Sequence, residues 1–210
     1  IRILKKEERK YDTRSRFELI KDLNDKEVTI NYHPSYMLKE KTDIFPLSGV
    51  SKIKTISCNE SGYYSSYVSD RYGFNNPDKE WNKETIDYLL LGDSFIHGDC
   101  VNRPNDVSSI LRKITGKSII NVASRGNGPL INYAALREYY NPKIKNVLWF
   151  VYVGNDPWEL TEELENSLLK KYLSDDSFSQ NLKSQQNLIN EKLKQIFERE
   201  IKKEEAFFNI

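Results

Sequence analysis

The sequence contains few of the residues on which common metal and redox chemistries depend. There are two cysteines, two histidines and one methionine in 210 residues. Cys58 and Cys100 fit no zinc-binding spacing, so they form either one disulfide or two free thiols. We therefore expect no metal site and no cofactor.

The sequence also has no large excess of positive or negative charge, and it has no long apolar run. Lysine and arginine number 32 against 31 aspartates and glutamates, a net charge of +1. Such a balance attracts neither nucleic acid nor an anionic membrane surface, so no nucleic-acid partner is expected. No apolar run approaches the ~18 residues of a transmembrane helix, and no signal peptide is visible. The chain opens on Ile1 rather than Met, which leaves a membrane tether upstream of Ile1 open.

Two regions of different character follow one another along the chain. Residues 1–84 are polar, rich in Tyr and Lys, and interrupted by turn residues, with short strand-like pieces at 27–32 and 63–68. We predict that they form an extension that packs on the core. Residues 85–210 are predicted to form the main α/β domain, incomplete at its C-terminal end.

Apolar runs of strand length alternate with helical spacing in the second region. The predicted strands are 86–91, 118–123 and 145–153, and the predicted helices between them are 104–115 and 129–140. This alternation indicates a parallel sheet covered by helices on both faces, with the first strand between the second and third. Beyond Pro157 the pattern is helical, with a break at 174–177 and an apolar stripe along the last helix.

The first predicted strand stops abruptly in Gly92-Asp93-Ser94, and Gly98 follows. In open α/β sheets, ligands bind outside the carboxyl ends of the strands. Gly92 allows a sharp turn there, and a small hydroxyl at the start of the next helix suits a nucleophile. The simpler interpretation is that Asp93 or Ser94 only caps the helix.

Two further motifs fall at the ends of the other two strands. Gly126 follows NVASR, and Asn155 follows FVYVG. Because the ends of parallel strands lie side by side, Ser94, Gly126 and Asn155 are expected to converge on one crevice. The N–H groups of Ser94 and Gly126 and the side-chain amide of Asn155 would then form an oxyanion hole. Ordinary turn and cap chemistry is the alternative for each motif.

Taken together, three motif blocks resemble the SGNH (GDSL-type) hydrolase family over roughly residues 70 to 160. The blocks are Gly92-Asp93-Ser94 with Gly98, then Gly126, then Gly154-Asn155-Asp156. The resemblance implies a three-layer α/β/α fold similar to flavodoxin. It also implies a serine ester hydrolase or O-acyl transferase that attacks a small-molecule or carbohydrate ester through Ser94 and forms an acyl-serine intermediate. Extracytoplasmic bacterial members have a similar lead-in to "SDRYGFNNPD", so the periplasm or cell surface is favoured while the compartment stays open.

The family takes its general base from a late Asp-x-x-His motif, which this sequence lacks. His97 follows Ser94 by three residues, but a helical side chain leans back over the preceding turn, which disfavours it as the base. His33 has no motif around it either. The resemblance therefore predicts that the reading frame continues past Ile210 into a further strand and an Asp-x-x-His segment. Arg125 either favours an anionic substrate or points to solvent.

Two other functions remain open at this point. A catalytically inactive module of the same fold would hold a carbohydrate or acyl group without turning it over. A flavodoxin-like phosphate or nucleotide binder would use Ser94 and its helix start as an anion site. Among the aromatic residues, Trp149 is expected in the core, whereas Trp158 either lies on the surface or roofs the crevice.

Overall fold

The computed structural model describes residues 11–23, 28–40 and 42–208, which contain two three-stranded sheets and seven α-helices. The strands are β1 Val28–Ile30, β2 Lys54–Ile56, β3 Ser66–Val68, β4 Ile86–Leu91, β5 Ile119–Asn121 and β6 Ile144–Trp149. The α-helices are α1 Arg16–Leu23, α2 Ser94–His97, α3 Val107–Thr115, α4 Pro129–Tyr139, α5 Asp156–Glu163, α6 Ser167–Ser174 and α7 Gln186–Phe208. Short 3₁₀ turns lie at Pro34–Met37, Asp78–Asn82 and Leu182–Gln185.

The larger sheet has β4 at its centre, with β5 on one side and β6 on the other, and both pairs are parallel. The α/β class and the predicted strand order are confirmed. In the register, Leu90 of β4 is the partner of Asn121, and Leu91 is the partner of Trp149. The carboxyl ends of the three strands therefore lie at one edge of the sheet.

Strands β5 and β6 are shorter than predicted, for a local reason in each case. After β5, the side chain of Asn121 accepts a hydrogen bond from the N–H of Ala123 at 2.9 Å and turns the chain away. After β6, the Asp156 carboxylate accepts from the N–H of Tyr152 at 2.9 Å and begins α5. Helix α3 likewise begins later than predicted, because Asp106 caps it by accepting from the N–H of Ser109.

Successive residues of β4 point to opposite faces of the sheet and pack into different apolar clusters. Leu89 and Leu91 are fully buried in the large core cluster, together with Ile131 of α4. Leu90 packs on the other face, with Ile96 of α2 and with Leu111 of α3. Both faces of β4 are therefore covered, which explains why its sequence is a continuous apolar run.

The N-terminal region forms the smaller sheet, in which β2 pairs parallel with β1 and antiparallel with β3. The strand-like pieces predicted at 27–32 and 63–68 contain β1 and β3, although residue 27 lies outside the described residues. Phe45 and Leu47 are completely buried in the same cluster as the larger sheet. The region therefore shares an apolar cluster with the larger sheet, while the division of the chain into an extension and a main domain stays a prediction.

Helix α7 carries the predicted apolar stripe. Ile189 and Leu193 are buried in the large cluster with Phe45 and Val50 of the N-terminal region. The helix thus covers the N-terminal region.

Strand β6 is the part of the sheet that the core covers least. Its first residue, Ile144, is buried, but every following residue of the strand is exposed. Trp149, expected in the core, is 38% exposed, so that expectation is wrong. The physical reason is that β6 is an edge strand: β4 is its one partner among the described residues, and no described helix seals its outer side.

Candidate functional site

The turn after β4 gives Ser94 an unengaged hydroxyl. A Cβ atom on Gly92 would lie 2.7 Å from Cγ1 of Ile96, so the close approach of the turn to α2 requires glycine here. Asp93 is the N-cap, because its carboxylate accepts from the N–H of Phe95 at 2.9 Å. Among the described residues, none forms a hydrogen bond with Oγ or with the backbone N–H of Ser94. Asp93 is therefore the residue that caps α2. The hydroxyl of Ser94 takes no part in the cap.

Gly126 lies in a tight loop after β5. Its φ of +70° favours glycine, and a Cβ atom would lie 2.8 Å from Oγ of Ser35 in the N-terminal region. Within the described ranges, its N–H has no acceptor. The backbone N–H of Gly126 is therefore uncommitted, and its predicted role as an oxyanion-hole donor stays a prediction.

Glu163 of α5 holds the end of this loop. Its two carboxylate oxygens accept from the N–H groups of Gly128 and Leu130, each at 2.7 Å. Burial raises the pKa of Glu163 to about 7, although these hydrogen bonds lower it. The Gly126 loop, the start of α4 and helix α5 therefore form one connected unit.

Asn155 stands at the start of α5, immediately after the end of β6. One hydrogen of its side-chain amide is donated to Oε1 of Glu159 at 2.9 Å, and among the described residues the other has no acceptor. Its carbonyl oxygen, Oδ1, is buried without a partner there. The amide therefore has one hydrogen available for a ligand.

The ends of β4 and β6 are close enough to interact. Burial and the nearby charge of Asp93 raise the pKa of Asp156. Burial, Asp156 and Asp93 likewise raise the pKa of Glu159. The rings of Phe95 and Tyr152 meet edge to face with centroids 5.7 Å apart. The Ser94 turn and the start of α5 thus face each other at one edge of the sheet.

A cavity of about 280 Å³ opens beside Ser94. It is lined by Glu60, Ser94, Phe95, Gly98, Asp99, Cys100, Val101, Asn105, Asp106, Val107 and Arg125. Gly126 and Asn155 are not among these residues, so the cavity lies on the Arg125 side of Ser94. Trp158 is 77% exposed and does not line it.

Arg125 is neither a free cation nor simply directed at solvent. Its Nη1 atom lies 3.1 Å from Oδ2 of Asp99, and its side chain is 41% exposed. The Asp99 side chain is nearly buried and also accepts a hydrogen bond from Ser57. The guanidinium is therefore held at the cavity wall with its charge largely compensated.

His97 does not line the cavity beside Ser94. Its ring is buried, and its two nitrogens lie 3.2 Å from the carbonyl oxygen of Ala123 and 3.2 Å from the amide of Asn31. Burial lowers its pKa, so the ring is neutral. With both nitrogens engaged, His97 has no lone pair for a proton from Ser94.

His33 is the other histidine of the chain. It is buried, stacks on Tyr36 with ring centroids 4.8 Å apart, and has an Nε2 atom with no partner among the described residues. Burial, followed by the positive charges of Arg125 and Arg16, lowers its pKa to about 3. No hydrogen bond connects it with Ser94.

Cys58 and Cys100 form a disulfide that ties the N-terminal region to the turn after α2, with Cα atoms 4.9 Å apart. Together with Glu60 they are the one cluster of possible metal ligands found among the described residues. Sulfur atoms bonded to each other are not thiolate ligands, so the cluster as it stands does not suit zinc. Within the same ranges, no helix is both long and apolar enough to cross a membrane.

Comparison of the chain with protein-family models, with curated proteins and with solved structures gives no match in any of the three. The resemblance to SGNH hydrolases therefore stays an interpretation of three motif blocks. The case for a function rests on the geometry of the site itself.

Several residues that shape the site were not visible in the sequence pattern. The amide oxygen of Asn132 in α4 accepts from the N–H of Gly92 at 3.0 Å and so fixes the turn before Ser94. Glu163 holds the end of the Gly126 loop through its hydrogen bonds. Asp99 holds Arg125 through an ion pair. Each acts over a sequence separation of 26 to 40 residues, and no local spacing signals such a pair.

Proposed function

We propose that the chain carries the nucleophile and oxyanion hole of an SGNH-type serine ester hydrolase or O-acyl transferase. The observation that carries the proposal is the state of three donors at the carboxyl ends of neighbouring strands. Among the described residues, the N–H groups of Ser94 and Gly126 have no acceptor, and one amide hydrogen of Asn155 is likewise uncommitted. Donors without acceptors at the ends of neighbouring strands, together with a hydroxyl that has no partner, support an acyl-transfer site.

The fold supports this proposal without deciding it. A parallel sheet with β4 in the middle and apolar clusters on both of its faces is compatible with the three-layer flavodoxin-like arrangement that the family resemblance implies. In that arrangement the nucleophile follows the central strand, and the donors follow its two neighbours. Ser94, Gly126 and Asn155 have these positions.

The proposed reaction begins with attack of Oγ of Ser94 on the carbonyl carbon of the ester. The hydroxyl proton passes to a general base as the carbon–oxygen bond forms. The three donors then hold the negative oxygen of the tetrahedral intermediate. When this intermediate collapses, the alcohol leaves with a proton and an acyl-serine remains. Water or a second alcohol releases the acyl group and restores the hydroxyl of Ser94.

The base in this scheme comes from outside the groups around Ser94. Both histidines are buried and neutral, and His97 has no free nitrogen. A histidine oriented by an aspartate, as in the Asp-x-x-His motif of the family, would fill this role.

The cavity lining favours an ester over a phosphate. Three carboxylates, those of Glu60, Asp99 and Asp106, line it against the single guanidinium of Arg125. Such a balance repels a phosphate group, which argues against a nucleotide binder. Phe95 and Val101 are exposed in the same wall and offer apolar contact for an acyl or sugar group.

A non-catalytic carbohydrate- or acyl-binding module is the second candidate. Both ring nitrogens of His97 already have hydrogen-bond partners, so His97 cannot act as the general base. A protein that keeps the three donors but has no base would bind an ester without hydrolysing it, which favours the binding module. In either case the expected partner is a small-molecule or carbohydrate ester. The Cys58–Cys100 disulfide supports the expected extracytoplasmic location, because disulfides persist in oxidising compartments.

Chemical rescue distinguishes the two candidates. Imidazole, added as an external base, should allow the wild-type chain to hydrolyse p-nitrophenyl acetate faster than imidazole does alone, and the gain should vanish in Ser94→Ala. Ser124→Ala is the matched control, because Ser124 lies between β5 and Gly126 and has no role in the proposed chemistry. Equal rates for wild type and Ser94→Ala at every imidazole concentration would contradict the hydrolase proposal and favour the binding module.

A further inference from the structure

A second cavity, of about 320 Å³, lies between the N-terminal region and α7 and is separate from the cavity beside Ser94. Its apolar lining comes from both sides. The residues are Ile30, Tyr32, Met37 and Val50 of the N-terminal region and Leu193, Ile196 and Phe197 of α7. Its volume lies at the lower end of the range of ~300 to 1,000 Å³ found for small-molecule sites.

The charged residues around this cavity do not balance. Arg199 pairs with Glu40 at 3.7 Å, and Lys203 pairs with Glu200 at 2.7 Å. Arg16, which also lines the cavity, forms no ion pair with any described residue. One unpaired guanidinium therefore stands at the edge of an apolar wall.

Tyr32 lines the same cavity, but its hydroxyl is sealed off from it. Its side chain is 8% exposed, and its hydroxyl has no hydrogen-bond partner among the described residues. A buried hydroxyl without a partner is costly, since it loses its contacts with water and gains nothing in return. Because this oxygen atom has no accessible surface, a ligand in the cavity does not reach it.

We propose that this cavity binds a monoanionic amphiphile, such as a medium-chain carboxylate, whose head group is held by Arg16 and whose tail lies on the apolar lining. The charge of the ligand follows from the single uncompensated cation. The need for a tail follows from the apolar residues of α7 and β1. This site is independent of the ester chemistry proposed for Ser94.

Isothermal titration with three eight-carbon probes tests the head-group assignment. Octanoate should bind with one site per chain. 1-Octanol, which has the same tail without the charge, should bind at least 10-fold more weakly, and octylammonium should not bind. Equal affinity for octanoate and 1-octanol, or no binding of octanoate at millimolar concentration, would overturn the proposal.

Variants test the assigned residues. Arg16→Gln should weaken octanoate binding at least 10-fold, because a charge-assisted hydrogen bond is lost. Tyr32→Phe should leave octanoate binding unchanged and the melting temperature of the free protein equal or higher, since the removed hydroxyl has neither a partner nor accessible surface. Arg14→Gln is the matched control and should bind normally, because Arg14 pairs with Asp12 and Asp22 and does not line the cavity. Unchanged octanoate affinity in Arg16→Gln would overturn the assignment.

Discussion

The Nε2 atom of His97 lies 3.2 Å from the side-chain amide nitrogen of Asn31. On the other side of the ring, Nδ1 lies 3.2 Å from the carbonyl oxygen of Ala123. Because a carbonyl only accepts, Nδ1 carries the proton and Nε2 accepts from Asn31. The ring therefore joins α2, which begins with Ser94, to the end of β1 and the end of β5.

Replacing His97 by leucine should destabilise the fold. The change removes two buried hydrogen bonds and leaves the carbonyl of Ala123 without a partner, while the amide nitrogen of Asn31 keeps only its long contact with Oγ of Ser57 at 3.4 Å. The free energy of unfolding should fall by about 2 to 4 kcal/mol, measured by urea denaturation at neutral pH. A loss below about 0.5 kcal/mol would show that His97 is not the link described here.

His33 should make the protein sensitive to acid. Its pKa is about 3 in the folded chain and 6.5 as the ordinary value, so between these pH values the unfolded chain binds the extra proton. The contribution of His33 to the free energy of unfolding is therefore fully present above pH 6.5. It should decrease as the pH falls toward 3, by at most about 1.4 kcal/mol per pH unit.

The variant His33→Phe isolates this effect, since phenylalanine keeps the stack on Tyr36 and does not titrate. The free energy of unfolding of the variant minus that of the wild type should increase steadily when urea titrations are repeated from pH 7 to pH 4.5. A difference that stays constant over this range would contradict the assigned pKa. The comparison is needed because burial raises the pKa of Asp70 to about 6, which acts in the opposite direction.

Asn155 should affect turnover more than folding. In the imidazole-supplemented chain, Asn155→Ala should lower ester hydrolysis by ~10²- to 10³-fold, the usual loss for one oxyanion donor. Labelling of Ser94 should remain detectable. Asn105→Ala is the control, because Asn105 lines the cavity beside Ser94 but offers no donor in the proposed hole. Equal losses in the two variants would remove Asn155 from the oxyanion hole.

The exposed edge at β6 should cause self-association. Val151 and Val153 are 58% and 84% exposed beside a strand with no outer partner among the described residues. The double change Val151→Lys with Val153→Lys should therefore lower the association seen by analytical ultracentrifugation as concentration rises. Val68→Lys is the control, because Val68 is equally exposed at 56% but belongs to the smaller sheet. A similar effect of both changes would point to charge alone.

The sequence predicted the sheet better than it predicted the site. The continuous apolar run of β4 indicated a strand covered on both faces, and Leu89 and Leu90 do pack into opposite clusters. Trp149 was misplaced because an apolar residue on an edge strand has the same pattern as one in the interior. Turns at residues such as Gly126 could be predicted from the sequence, because a positive φ favours glycine.

The parts of the site that escaped prediction depend on pairs far apart in sequence. The sequence next to Arg125 does not indicate that Asp99 compensates its charge. In the same way, the local sequence around His97 resembles that of a surface helix, and only the fold shows that Asn31 and Ala123 occupy its two nitrogens. Local motifs indicate which groups are present, whereas tertiary pairing decides which of them remain free.

The most direct test of the account is covalent capture of Ser94. The purified chain, with imidazole present, is treated with a fluorophosphonate and analysed by intact mass and peptide mapping. The account predicts one adduct per chain, located on Ser94, absent from Ser94→Ala and present in Ser124→Ala. An unmodified Ser94 in a folded chain, or an adduct spread over several serines, would contradict the assignment of Ser94 as the nucleophile.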